Sequence, residues 1–88
     1  MKYKFGDRVA WVDDENEFLL INYETEKVAI FRSVGADIVR SISLNEDLEN
    51  IFKSILRQYD EDPSLIKEDI ESFVSALVEK GYVVLPNK

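Results

Sequence analysis

The sequence predicts an α+β fold in which a three-stranded antiparallel sheet packs against three helices. Apolar residues in the region 9–32 fall in short β-prone runs, whereas those in the region 33–80 recur at the three-and-four spacing of helices. The connections between the strand-like runs are short and polar, which favours antiparallel hairpins. The 88 residues suit one domain, so we expect 1–88 to form a single domain whose core lies within 8–84.

The sheet is predicted to be a meander of three strands, formed by Val9–Val12, Phe18–Tyr23 and Lys27–Arg32. The acidic residues 13–17 lack the glycine and ligand spacing of a calcium loop, so we expect a solvated turn there. The third strand is apolar on both faces and lies at an edge of the meander. It is therefore either a strand covered on both sides or an edge that is held open for a partner.

The first two helices have start signals of different strength. The first runs from Ser33 or Val34 to about Ile42, with Ser33 as its cap. Gly35 weakens this helix by up to ~1 kcal/mol relative to Ala, so close packing is a reason to find glycine there. The second helix follows Ser43-Leu44-Asn45-Glu46, which fits a capping box with Ser43 as the N-cap.

The third helix has the clearest boundaries. Asp62 suits the N-cap and Pro63 the first helical position, while Gly81 suits the position after the last turn. The apolar tail 82–85 then packs as a terminal strand or an extended segment. Tyr82 leads this tail, and Pro86 ends it.

The composition of the chain argues against several classes of function. The net charge of −7, from 18 acidic and 11 basic residues, disfavours nucleic acid and anionic membrane surfaces as partners. The chain has no His and no Cys, so the usual general base, thiolate nucleophile and soft metal ligands are missing. We therefore expect no catalytic residue, no metal and no cofactor. No signal-like segment and no run of ~20 apolar residues occurs, so we expect a cytoplasmic protein.

The order of elements, together with a Gly-aromatic-aliphatic ending, resembles the winged helix-turn-helix domain of the PqqD-like family, whose members are recognition elements for ribosomally made, modified peptides. The resemblance extends over about residues 8–84. The residues that carry it are Arg8-Val9-Ala10-Trp11, Phe31, Ala36, Ile38, Asp62-Pro63, Ile66, Asp69-Ile70, Phe73-Val74, Leu77 and Gly81-Tyr82-Val83.

The resemblance implies that a leader peptide binds as an added strand on the third strand, with side chains in a groove beside the third helix. We expect Val74 and Val78 to form the groove wall. Lys67 and Glu71 are either a solvated ion pair or charge partners of the leader, and Lys27 and Arg32 can attract an acidic leader. The implied peptide-binding residues are Lys27, Val28, Ala29, Ile30, Phe31, Arg32, Lys67, Ile70, Glu71, Val74 and Val78.

The function implied is a stand-alone protein that presents a precursor peptide to a separate radical SAM enzyme, cyclase or leader peptidase. Two alternatives stay open. A DNA-binding winged-helix regulator needs a basic helix face, whereas the third helix region has Lys67 and Lys80 against four acidic residues. A homodimerisation module would pair two copies through the edge strand.

Overall fold

The computed structural model describes residues 2–84 and confirms the expected α+β arrangement. A three-stranded antiparallel sheet has the order β2-β3-β4, and three helices cover one of its faces. A second, two-stranded sheet joins β1 to β5. In chain order the elements are β1 (Lys4–Phe5), β2 (Val9–Asp14), β3 (Glu17–Asn22), β4 (Lys27–Arg32), α1 (Ser33–Ser43), α2 (Leu48–Gln58), α3 (Pro63–Glu79) and β5 (Val83–Val84).

The small sheet joins the two ends of the described chain. Lys4 pairs with Val84 and Phe5 with Val83 in antiparallel register. The terminal strand expected after Gly81 is therefore confirmed for Val83–Val84, while Leu85 and Pro86 lie outside the described residues. Strand β1 was not expected, because residues 2–7 are mostly polar. Tyr3 and Phe5 pack against the buried cluster, so the core begins before residue 8.

The core lies between β3 and the three helices. Alternation along β3 turns Phe18 and Leu20 inward, and both are fully buried. Helix α3 contributes a row at helical spacing, and Tyr82 and Val83 close the end of the cluster. The other buried apolar residues are Ala36, Ile38, Val39, Ile42, Ile51, Ile55, Ile66, Ile70, Val74 and Leu77.

The start of α2 differs from the expected capping box. Ser43 is the last residue of α1, and its hydroxyl donates to the carbonyl of Arg40 at 2.5 Å. The N-cap of α2 is Asp47, whose carboxylate accepts from the amide of Asn50 at 2.9 Å. The chain reverses between the helices through Asn45, which has φ 62° and so occupies the left-handed region that Asn tolerates. The capping box was wrong because this reversal needs residues that the box would have placed in the helix.

Ser33 does not cap α1 either. The N-cap is Arg32, which has extended backbone and no side-chain cap bond, and Ser33 itself has φ 54°. This sharp junction turns the chain directly from β4 into α1.

No described helix is both long enough and apolar enough to cross a membrane.

The ends of α3 confirm the prediction. The Asp62 carboxylate accepts from the amide of Ser64 at 2.9 Å, and Pro63 opens the helix. At the other end Gly81 has φ 84° and donates to the Val78 carbonyl, while Tyr82 donates to that of Leu77. These two bonds form a Schellman motif, which turns Tyr82 back into the core and leads the chain into β5.

Candidate functional site

Strand β4 has an open outer edge, since it pairs only with β3 among the described residues. The amide of Tyr23 donates to the carbonyl of Arg8 at 2.9 Å, so the odd-numbered residues of β3 direct their backbone groups towards β2. The even-numbered residues of β3 therefore bond to β4. Because Leu20 is opposite Ala29, the backbone groups of Val28 and Ile30 point away from the sheet. These two residues offer two N–H and two C=O groups to an incoming strand.

The side chains of β4 alternate between a half-buried face and an open one. Ala29 and Phe31 turn towards the helices and pack against the core. Val28 and Ile30 turn to the outer face of the sheet, where they are 58% and 54% exposed. The apolar character of both faces therefore reflects one covered side and one uncovered side, on a strand whose edge is free.

A groove separates the edge of β4 from α3, and an aromatic pair spans its middle. The rings of Phe31 and Phe73 meet edge to face, with centroids 5.6 Å apart. A Cβ atom on Gly35 would lie 3.4 Å from the Phe73 ring and 3.8 Å from Phe31 Cβ, which are ordinary van der Waals distances. Close packing therefore does not require glycine at position 35, contrary to expectation.

Two cavities lie on either side of this aromatic pair. One of about 440 Å³ lies at the start of β4 and is lined by Thr25, Lys27, Val28, Ala29, Lys80 and Tyr82. The other, of about 310 Å³, lies beyond Phe73 and is lined mainly by apolar side chains of the helices. Its lining comprises Val34, Gly35, Ile38, Ile55, Tyr59, Glu61, Ile66, Asp69, Ile70 and Phe73. The first cavity borders β4 itself, whereas the second reaches the strand through the contact of Phe73 with Phe31.

The two ends of the groove carry opposite charge. Lys27 and Lys80 line the first cavity, whereas Glu61 and Asp69 line the second. In the second cavity the hydroxyl of Tyr59 donates to an Asp37 carboxylate oxygen at 3.1 Å. Burial raises the pKa of Tyr59, and the hydrogen bond to Asp37 raises it further. The groove therefore favours a peptide with acidic groups towards one end and cationic groups towards the other.

Among the predicted residues of α3, only Ile70 reaches this groove, where it lines the second cavity. Val74 and Ile70 are each 2% exposed and belong to the core, so the groove wall expected at Val74 was wrong. At about 100° per residue, Lys67, Glu71 and Val78 lie on the side of α3 away from Phe73. Lys67 and Glu71 instead line a separate cleft of about 270 Å³ against α2, with Leu48, Glu49, Phe52 and Ile70.

The groove wall is formed by Phe73 and Lys80 instead. The sequence contained one signal for this, namely an aromatic residue on α3 that can meet the inward aromatic Phe31 of β4. Lys67 and Glu71 are four residues apart, yet no ion pair joins them in the described part of the chain. Their expected role as charge partners of a peptide stays a prediction, but it now concerns the cleft between α2 and α3.

Of the two basic residues that flank β4, only one faces the groove. Lys27 lies at the first cavity, as expected. Arg32 turns to the outer face of the sheet and forms an ion pair with Glu17, its partner across β3 and β4. Lys27 and Lys80 are therefore cations at the groove, whereas Arg32 lies on the outer face of the sheet.

The acidic segment 13–17 is more structured than expected. Asp13 and Asp14 belong to β2 and Glu17 to β3, which leaves a two-residue turn. Both carboxylate oxygens of Asp13 accept from the Arg40 guanidinium, each at 2.9 Å, and this side-chain bonding lowers the pKa of Asp13. Arg40 also lies over the Phe18 ring, 5.9 Å from its centroid. The segment thus fixes the hairpin to α1, and within residues 2–84 no cluster of three or more acidic residues is arranged to hold a metal.

Comparison with known families matches most of the chain to one family. Residues 17–83 match the family described as "PqqD: Coenzyme PQQ synthesis protein D (PqqD)". The chain belongs to the PqqD family. The matched region runs from the start of β3 to β5 and so contains the whole groove of this PqqD-family protein.

Two solved structures are similar to this PqqD-family protein over nearly their full lengths. One is described as "TbiB1 in Complex with the TbiA(beta) Leader Peptide", with TM-score 0.89, 22% identity, and coverage of 97% of this chain and 99% of that one. The other is described as "Lasso peptide synthetase B1 complexed with the leader peptide", with TM-score 0.85, 15% identity, and coverage of 98% and 100%. At these identities the likeness establishes a shared fold. No curated protein matches the chain.

Proposed function

We propose that this PqqD-family protein binds the leader segment of a ribosomally synthesised precursor peptide, which joins the sheet as a strand on the open edge of β4. The observation that carries the proposal is the pair of outward-facing backbone positions at Val28 and Ile30, beside a groove with a cavity at each end. The two similar structures are described as complexes with leader peptides, which supports a leader peptide as the ligand here.

Backbone pairing would supply affinity with little demand on sequence. Four hydrogen bonds contribute ~4 kcal/mol at about 1 kcal/mol each. Two apolar side chains in the cavities add ~3–6 kcal/mol. Ordering a flexible leader costs ~2–5 kcal/mol. The balance reaches at most about −8 kcal/mol, so the tightest dissociation constant expected is close to micromolar. Selectivity would then come from the cavities and from the charges at the ends of the groove.

The role we propose is presentation, with the chemistry performed by a separate enzyme in the cytoplasm. The sequence contains no His and no Cys, which removes the commonest acid–base and nucleophilic side chains. Holding the leader next to a modifying enzyme raises the effective concentration of the attached core peptide. The enzyme classes proposed are a radical SAM enzyme, a cyclase or a leader peptidase.

The direct test is a fluorescence anisotropy titration with a fluorescein-labelled leader, taken from a short precursor gene sought among the neighbours of this protein's gene. We expect saturable binding in the micromolar range and at least tenfold weaker binding of a scrambled leader. A DNA duplex in place of the peptide tests the regulator alternative, and sedimentation at several concentrations tests pairing of β4 edges between two copies. Equal binding of leader and scrambled leader would contradict the proposal.

A further inference from the structure

The outer face of the β2–β3–β4 sheet carries a contiguous aliphatic surface. The cross-strand register places Ala10, Ile21 and Val28 in one row and Val12, Leu19 and Ile30 in the next. We call these six residues the outer apolar patch. Its two β4 members are more than half exposed, and Val12 is 49% exposed. Adjoining rows of exposed aliphatic side chains mark interaction surfaces, whereas single exposed ones are ordinary.

No residue of the outer apolar patch belongs to the buried cluster or to the partly buried side chains that pack on it, among those the structure describes. The border of the patch is mainly acidic. The charged groups at the strand ends and in the two turns are five carboxylates and three cations: Asp14, Glu15, Glu17, Glu24 and Glu26, with Arg8, Lys27 and Arg32. Lys27 lines the first cavity of the groove. Arg32 is already paired with Glu17. The border therefore favours a partner with basic side chains.

A second copy of this chain fits the patch poorly. Each copy has a net charge of −7, and face-to-face packing would bring two acidic borders together. Three strands of six residues form a surface about 14 Å wide and about 20 Å long, or roughly 300 Å² in plan. A stable dimer interface buries ~800 Å² on each partner. Both charge and area thus favour a different protein that contacts more than this patch.

The position of the patch indicates which protein that is. A strand added to β4 would extend the same sheet by ~4.8 Å, so side chains of a bound leader would continue the outer face. A protein that acts on the leader or its attached core would therefore meet the patch and the peptide together. We propose that the outer apolar patch is the docking surface for the enzyme that acts on the bound peptide, through an aliphatic surface bordered by basic side chains. This inference rests on the proposed function.

The test uses Val12→Lys, because Val12 lies on β2, two strands from the proposed leader site. Leu65→Lys is the matched control, since Leu65 is 55% exposed but lies on α3. The probes are the fluorescein-labelled leader and the purified modifying enzyme or leader peptidase encoded beside the precursor. We expect Val12→Lys to weaken enzyme binding at least tenfold while leader affinity changes less than twofold. Leu65→Lys should leave both affinities unchanged.

Every other outcome decides against one of the two proposals. Enzyme binding that is equal for Val12→Lys and the unmodified protein overturns the docking surface, as does the absence of any enzyme binding. A dimer in sedimentation that Val12→Lys abolishes would make a second copy the occupant and also overturn it. Failure of the leader to bind the unmodified protein refutes the proposed function instead. Enzyme binding to the peptide-free protein then still decides the docking surface, because only a true docking surface loses binding with Val12→Lys.

Discussion

Replacing Val28 by proline tests the open edge without disturbing the rest of the sheet. The amide of Val28 points away from β3, whereas those of Lys27 and Ala29 bond to β3. Proline is tolerated on an edge strand where its missing N–H would face solvent. Val28→Pro should therefore remove one donor for the incoming peptide, cost no bond between β3 and β4, and leave the fold intact.

The size of the effect follows from one lost hydrogen bond and its partner. The leader carbonyl opposite position 28 would face the proline ring and lose its donor, which costs ~1.5–3 kcal/mol. Leader affinity should fall roughly tenfold to 150-fold, at 1.4 kcal/mol for each factor of ten. The assay is fluorescence anisotropy with the labelled leader, accompanied by a thermal melt.

Val28→Ala is the control, since it removes the exposed side chain and keeps the N–H. It should bind the leader within about threefold of the unmodified protein, because the side chain turns to the outer face of the sheet, although the residue borders the first cavity. Normal leader binding by a folded Val28→Pro protein would refute the assignment of the free amides. An equal loss in Val28→Ala would refute the claim that backbone bonding provides the affinity.

Three further predictions concern the groove, the hairpin and the core. Gly35→Ala should keep fold and affinity, whereas Gly35→Leu should fill the cavity of about 310 Å³ and weaken leader binding at least fivefold in the same titration. The side-chain hydrogen bonds from Arg40 lower the pKa of Asp13. The stability that this pair adds relative to Asp13→Asn should therefore be present above about pH 4 and be lost as the pH falls through the lowered pKa of Asp13. Urea titrations of both proteins at pH 7 and pH 3 measure this difference in the free energy of unfolding. Val74→Asp should lose helical circular dichroism at 25 °C, because it buries an unpaired carboxylate at a site that is 2% exposed; a folded variant would contradict this.

Signals that act within a few residues predicted much of the fold correctly. Asp62-Pro63 and Gly81 fixed both ends of α3, because caps satisfy backbone groups of the adjacent turn. The third strand was located residue for residue, since its β-prone run is bounded by polar turns. The N-cap of α2 was predicted wrongly at Ser43 for the same local reason. A serine can belong either to a capping box or to the C-terminus of the preceding helix, and only the reversal at Asn45 distinguishes the two.

Features that depend on pairing between residues far apart in the chain could not be predicted from the sequence. Strand β1 exists because Val83–Val84 lies beside it, and a two-residue strand has no pattern of its own. The side of α3 that faces β4 depends on the angle at which the helix crosses the sheet. A helical wheel gives no information about that angle. Residue spacing therefore predicts a groove wall at Val74 and Val78, whereas Phe73 and Lys80 form it.

The most direct measurement of the proposed strand addition is amide hydrogen exchange by NMR, with and without saturating leader. Strand addition predicts that the amides of Val28 and Ile30 exchange rapidly in the free protein and at least tenfold more slowly in the complex. Those of Trp11 and Asp13, which face the opposite edge of the sheet, should keep their rates. Unchanged exchange at Val28 and Ile30 while the leader is bound would contradict strand addition on β4.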